Sequence, residues 1–289
     1  MHFSKTSLAS GVLLAGNALA IDLDLDNENS IHDAVGTIAA SIVQRYTNAT
    51  ESSGGIPGLL GEPYYFWENG LAWDSLINYW YQTGDDSYNE FIGHSLRFQL
   101  GENNDFMPAN QTKSEGNDDQ STWALAAMTA AESGFPSDVL ADLNTTWVDI
   151  AITIFNQQAA RWDYETCAGG LRWQIFPFNS GYDYMNAISN GNFYQLASRL
   201  SRFTGNSTYE EWSDRVFGWT VNVGLLADEG ATVPGAIFDG TGVRDECSDI
   251  NRIQWSANAG TYLAGAAYAW NAVSPIQFPS PYIEPKCKF

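Results

Sequence analysis

The chain has 289 residues, 44% of them hydrophobic, and carries 13 Lys and Arg against 34 Asp and Glu, a formal charge of −21. This composition is globular and excludes a disordered chain, and the charge excludes a protein that holds nucleic acid or an anionic membrane by electrostatics. Only 16% of residues are charged, while 11 Trp, 14 Tyr and 15 Phe are present, and aromatic faces beside neutral polar groups suit sugars as well as a large core.

Residues 1–20 read as a secretory signal, with Lys5, a short apolar run from Leu8 to Leu14 and the small-x-small site Ala18-Leu19-Ala20. The run is too short to span a bilayer, and no later stretch is long and apolar enough to do so. Asp22, Asp24 and Asp26 have some Ca²⁺-loop character but lack the sixth-position Gly, so they read as a frayed acidic N-terminus. A helical stripe follows at Ile31, Val35, Ile38, Ile42, Val43 and Tyr46, with Ser30 and Asp33 as a capping box. Further helices are predicted near 68–82, 86–100, 118–132, 137–160, 186–203, 207–227 and 255–270, about eight in all. Trp80, Trp147, Trp212, Trp219 and Trp270 fall inside them and are assigned to the core.

The turns between these helices repeat. Thr83-Gly84-Asp85-Asp86-Ser87-Tyr88 matches Thr204-Gly205-Asn206-Ser207-Thr208-Tyr209, and Ser133-Gly134-Phe135-Pro136-Ser137 is a looser third case. In each, a Gly ends one helix and a short polar residue caps the next, with Ser207 and Glu210 as a second capping box. Repeated units of this kind predict stacked helical hairpins. Gly169–Ile175 and Val233–Gly240 break the pattern and read as short strands or rim loops. Beyond Trp270 the stripe stops, and 273–289 reads as an irregular Pro-rich tail after a single domain over 21–272.

Four Asn-x-Ser/Thr sites, at Asn48, Asn110, Asn144 and Asn206, favour a glycosylated secreted chain. Of the three cysteines, Cys167 and Cys247 each follow a polar turn-like stretch and are the expected disulfide, leaving Cys287 over. His32 and His94 have no metal-ligand spacing, and no metal or cofactor is expected.

The segment Gly116-Asn117-Asp118-Asp119-Gln120 carries the most chemistry. It opens a helix with an apolar body, and adjacent helical residues keep their Cβ atoms about 5–6 Å apart. Two carboxyls there can converge at the ~5–5.5 Å of a retaining glycosidase. The helix N-terminus favours one of them as the anion, and like-charge repulsion favours a proton on the other. The plainer alternative is that Asp at a helix start is only a cap.

With Trp67–Gly70, Tyr79–Asp85, Gly116–Gln120, Cys167–Gln174, Asn186–Gly191, Phe238-Asp239-Gly240 and Gln254–Gly260 in this order, the chain resembles glycoside hydrolase family 76, the endo-α-1,6-mannanases, in its fungal cell-wall branch. The resemblance implies an all-α (α/α)6 toroid with a groove across one end, of which this chain would hold about eight of twelve helices. It implies Asp118 as nucleophile and Asp119 as acid/base, with retention of configuration. The substrate would be α-1,6-mannan or a mannose-containing glycan, with hydrolysis or transfer into the wall left open. Trp67, Asn69, Trp123, Trp173, Asn186, Asn190, Asp239 and Gln254 are the expected sugar contacts. Two departures stand out: Ala257 where the family carries Tyr, and an apparently missing C-terminal third. The tail has no apolar end of the kind a GPI signal needs, so no such anchor is expected. The resulting expectation is a secreted enzyme of the fungal wall or cell surface, with a non-catalytic mannan-binding or defective truncated homologue as the alternative.

Overall fold

The structure is a computed structural model that describes residue 21, residues 23–53 and residues 55–273. The expected signal segment, the tail beyond 273 and Cys287 lie outside the described residues. Within them are eight α-helices: α1 (Glu28–Ser53), α2 (Phe66–Thr83), α3 (Asn89–Gln99), α4 (Asn117–Ser133), α5 (Trp147–Ala160), α6 (Ala187–Thr204), α7 (Ser207–Asn222) and α8 (Ser256–Val273). The fold is all-α, with one small sheet of strands β1 (Tyr184–Asn186), β2 (Gly240–Gly242) and β3 (Ile250–Asn251), antiparallel in that order.

The even-numbered helices form one row, α2 against α4, α4 against α6 and α6 against α8, and the odd-numbered ones back that row. The row runs parallel. Near the helix starts, Asn192 on α6 donates to Thr122 on α4 (3.3 Å) and accepts from Thr261 on α8 (2.9 Å). Further along, Arg199 on α6 donates to Thr129 (2.9 Å), Glu132 (2.8 Å) and the Leu125 carbonyl (3.2 Å) of α4, beneath the Tyr268 ring of α8. Glycines let the row close up: a Cβ on Gly191 would lie 2.5 Å from Thr261, and one on Gly265 would lie 2.5 Å from the Tyr194 ring.

The repeated turns share their wiring. Gly84 (φ 74°) and Gly205 (φ 70°) end α2 and α6 in the left-handed conformation that costs glycine least. In both, the preceding Thr hydroxyl donates back four residues (2.7 Å) and accepts the N–H two residues on (3.2 Å). The caps differ from those expected. Asn27, not Ser30, accepts the N–H groups that open α1, and Asn206, not Ser207, caps α7. The stretch predicted as one helix over 137–160 is a 3-10 turn at Asp138–Leu143 followed by α5, because Asn144 turns left-handed (φ 49°) and Thr146 with Asp149 forms a fresh capping box.

Cys167 and Cys247 form the expected disulfide across 80 residues (Cα–Cα 5.5 Å). Trp147 and Trp219 are buried, and Trp80 and Trp212 pack on the core. Trp270 is a correction: it is 65% exposed, because it lies with Leu263 on the side of α8 turned away from α6.

Arg199 and Glu132 are one buried ion pair, 5% and 15% exposed. Removing one partner strands the other in low dielectric. Arg199→Met should cost about 3 kcal/mol or more, read as a lowered urea midpoint.

Candidate active site

The parallel row puts four helix starts at one end of the molecule, and the residues leading into them build the rim. Segment 173–175 is the link. Gly116 bridges Gln174, the Asn117 N–H donates to the Trp173 carbonyl (2.8 Å), and the Trp173 N–H donates to Tyr184 of β1 (2.7 Å). From β1 the sheet passes through β2 to β3, just before α8. The Ala187 N–H that opens α6 donates to the Asp239 carbonyl (2.7 Å).

Asp118 and Asp119 occupy the first turn of α4, where the helix dipole favours negative charge. The Asp119 Oδ2 accepts the Gly116 N–H (2.8 Å), and the Trp67 N–H at the start of α2 also stabilises its anion. Burial nevertheless raises Asp119 above the ordinary carboxylate range. Asp118 is raised further, to about 8, by burial first and the Asp119 charge second, and the backbone N–H groups of Asp118 and Asp119 with the Trp173 indole only partly offset this. Its Oδ1 is shut off from solvent with no hydrogen-bond partner. Two neighbouring carboxyls cannot both ionise cheaply, and burial adds to that cost, so the pair resists full ionisation at neutral pH. Of the two, Asp118 is held higher, because burial and the Asp119 charge act on it together and outweigh its own donors. Gly116 is required here: a Cβ on it would lie 2.2 Å from the Asp118 Oδ1.

A third carboxyl lies directly before the pair. Glu115 is 1% exposed, with both oxygens buried and unpartnered. Burial, then the charges of Asp119 and Asp105, push it up to about 9, against the pull of Arg161. Arg161 bonds Gln120, which donates to Gln157 (2.7 Å), which in turn donates to Asp105 (2.8 Å). Glu115 has no local signal in the sequence, because a lone Glu in a polar stretch reads as solvated.

The expected sugar contacts divide. Trp67 and Trp173 are partly exposed, 41% and 37%, and both touch the pair, Trp67 through its backbone N–H to Asp119 and Trp173 through its indole to Asp118, while Gln254 is exposed beside Trp255. Asp239 is half-buried, and its Oδ2 accepts from the Tyr184 hydroxyl (2.6 Å) and the Asn251 amide (3.0 Å), two residues the sequence reading missed. Four expectations are corrected by burial. Trp123 is fully buried, stacked on Phe66 (4.8 Å) and donating to the Phe66 carbonyl. Asn69 ties the Leu60 N–H to the Tyr65 carbonyl (both 2.5 Å). Asn190 bonds both the N–H and C=O of Leu171 (2.8 and 2.9 Å). Asn186 caps α6 through the Ser189 N–H. These polar groups hold the rim loops in place instead of facing a ligand. A cavity of about 650 Å³ lies elsewhere, against the disulfide, lined by Glu165, Trp219 and Glu246 among others. The four sequon asparagines are all exposed.

Residues 30–275 match the family described as Glycosyl hydrolase family 76. Among curated relatives, mannan endo-1,6-alpha-mannosidase DCW1 of Candida albicans is 43% identical over 94% of this chain and 58% of its own length. The Saccharomyces cerevisiae protein of that name is 42% identical over 90% of this chain and 57% of its own. The chain thus spans a little over half the length of these relatives. Dfg5 from Chaetomium thermophilum, solved in complex with glucosamine, superposes with a TM-score of 0.78 at 41% identity, covering 86% of this chain and 61% of that one. An inactive variant of the α-1,6-mannanase GH76A of Salegentibacter sp. HEL1_6, solved with α-1,6-mannotriose, gives a TM-score of 0.62 at 21% identity, over 82% of this chain and 65% of its own, and shares the helical-toroid fold.

Glu115 generates a prediction about stability. A carboxyl whose folded pKa is raised contributes stability in full below its unfolded value, near 4.5, and loses it as pH rises toward about 9. Glu115→Gln should therefore unfold like the wild type at about pH 4 and be more stable, by on the order of a few kcal/mol, at pH 8. Urea unfolding across that pH range measures the difference.

Proposed function

The chain belongs to glycosyl hydrolase family 76, and on that premise we propose that it cleaves or transfers α-1,6-linked mannan by a retaining, two-aspartate mechanism. The observation that carries this reading is the pair at the start of α4, two adjacent carboxyls bonded to the Trp173 indole and the Trp67 backbone, and in this reading they share one proton. The substrate class follows the names of the relatives. The tryptophan faces supply apolar platforms for the C–H faces of sugar rings, and Gln254 and Asp239 supply polar contacts at the same rim.

The chemistry follows from the electrostatics. Asp118 as a whole is only half-buried, so its carboxylate is within reach of the anomeric carbon of a sugar in the groove. A glycosidic oxygen laid against Asp119 accepts a hydrogen bond and stabilises its protonated form, while positive charge developing at the anomeric carbon stabilises the Asp118 anion. Substrate thereby draws the shared proton from Asp118, where it favours resting, to Asp119. Asp118 then forms the bond to carbon as the glycosidic bond breaks, and the proton passes from Asp119 to the leaving oxygen. In the second step Asp119, now anionic, takes a proton from water or from a sugar hydroxyl, which displaces Asp118 and restores the starting configuration. Water gives hydrolysis and a sugar hydroxyl gives transfer. Acting outside the cell, on the fungal wall or its precursors, would place the enzyme with such substrate, consistent with its signal-like N-terminus and its fungal mannan-mannosidase relatives.

Asp118→Asn and Asp119→Asn should each lower turnover of α-1,6-mannooligosaccharides by about a thousandfold or more. On an aryl α-mannobioside, azide should give the α-mannosyl azide with Asp119→Ala and the β-mannosyl azide with Asp118→Ala. The reverse pattern exchanges the two roles, and wild-type-like turnover in either Asn variant removes the mechanism. The pH profile should fall on its alkaline side near 8, where the last proton leaves the pair, and on its acid side where a second proton neutralises it.

A further inference from the structure

Asp239 is held more firmly than a groove residue requires. Its N–H donates to the Asn251 carbonyl (3.0 Å), and its own carbonyl accepts the Ala187 N–H (2.7 Å). Its Oδ2 takes the Tyr184 hydroxyl (2.6 Å) and the Asn251 Nδ2 (3.0 Å), and that Nδ2 also reaches the Tyr184 oxygen (3.2 Å). The Asn251 amide is oriented in turn, because its Oδ1 accepts the Ile253 N–H (3.2 Å). The Tyr184 ring lies so close over the strand that a Cβ on Gly240 would come within 2.7 Å of it. Two donors thus converge on one oxygen of a half-buried carboxylate, while its Oδ1 takes no hydrogen bond among the described residues.

Pairing of the strands does not need this arrangement. The register Tyr184–Gly242 and Gly240–Asn251 is made by backbone alone. A carboxylate with one oxygen saturated and the other open is instead suited to accept a hydroxyl in one fixed direction. Tyr184 stays a phenol, since burial and the Asp239 bond both raise its pKa, so it remains a donor throughout the working pH range. Asp239 is bonded to Tyr184, Asn251 and the start of α6 and not to the aspartate pair, so in this reading it addresses a sugar beside the cleaved bond.

We propose that Tyr184 and Asn251 are positioning residues: together they lock one oxygen of Asp239 so that the other stands as a pre-oriented acceptor for a mannose hydroxyl in the groove. This rests on the mannan reading given above. It adds that recognition is divided between the lead-in to α6, which carries Tyr184, and the lead-in to α8, which carries Asn251.

Calorimetric binding of α-1,6-mannotriose to the full chain carrying Asp118→Asn and Asp119→Asn, where turnover is silenced, tests it. Tyr184→Phe on that background should weaken binding about tenfold, as loss of a hydrogen bond to a charged group does, while the melting temperature stays near that of the parent. Asp239→Asn should cost at least as much, and adding Tyr184→Phe to Asp239→Asn should cost little more, because Tyr184 acts through Asp239. In the active enzyme the same Tyr184→Phe change should raise KM more than it lowers kcat. If Tyr184→Phe melts early, Asn251→Ser carries the same comparison. Unchanged affinity in a well-folded variant overturns the proposal, as do losses at 184 and 239 that simply add. If the parent binds no mannotriose at all, the mannan reading itself fails and this inference falls with it.

Discussion

The rim depends on how the start of α4 is fixed to the segment that follows the disulfide. Asn117 makes the attachment twice and adds a third bond to α5. Its N–H donates to Trp173, its side-chain amide donates to Arg172 (2.8 Å), and its carbonyl receives Gln158 from α5 (2.8 Å). These bonds set the two aspartates beside one tryptophan, and the contact between Asp119 and the start of α2 brings in the other. A displacement of α4 by one residue would separate the carboxyls from both rings. The polar atoms that resist such a shift, on Asn69, Asn117, Gln158 and Asn190, are buried and face protein.

The site is negative by arrangement as well as by composition. Three carboxyls, at 115, 118 and 119, crowd one helix start, and the cation that acts on Glu115, Arg161, also bonds Gln120 and the Gln157 carbonyl. Crowding keeps protons on groups that would otherwise lose them, which is what an acid catalyst at neutral pH requires. Elsewhere the few cations serve the scaffold. Arg199 ties α4 to α6, and Arg172 pairs with Asp163 (2.7 Å) beneath the loop that carries Trp173.

Much of this is legible in the sequence, for identifiable reasons. The helices show because their apolar spacing is regular, and the Gly turns show because φ near +70° selects glycine. The aspartate pair shows because two acids before an apolar run are conspicuous. What fails is the direction in which polar side chains face. Asn69 and Asn190 look like sugar contacts in a string of letters, yet each satisfies backbone groups that a loop leaves unpaired. Trp123 and Trp67 are the same residue type near the starts of neighbouring helices, and only packing against Gly70 and Phe66 puts one of them inside. Tyr184, Asn251 and Glu115 have no local signal, because their roles arise from contacts with residues distant in the chain.

The rim sheet also bears on the order in which the molecule is built. The helical turns close locally, with a Thr, a Gly and a cap inside six residues, whereas the bridge from Gly116 to Gln174, the β1–β2 pairing and the disulfide join segments far apart in the chain. Long loops close slowly and late. Refolding chains should therefore regain their helicity well before they regain the groove, so the kinetically last part of the protein is the part that carries the proposed site.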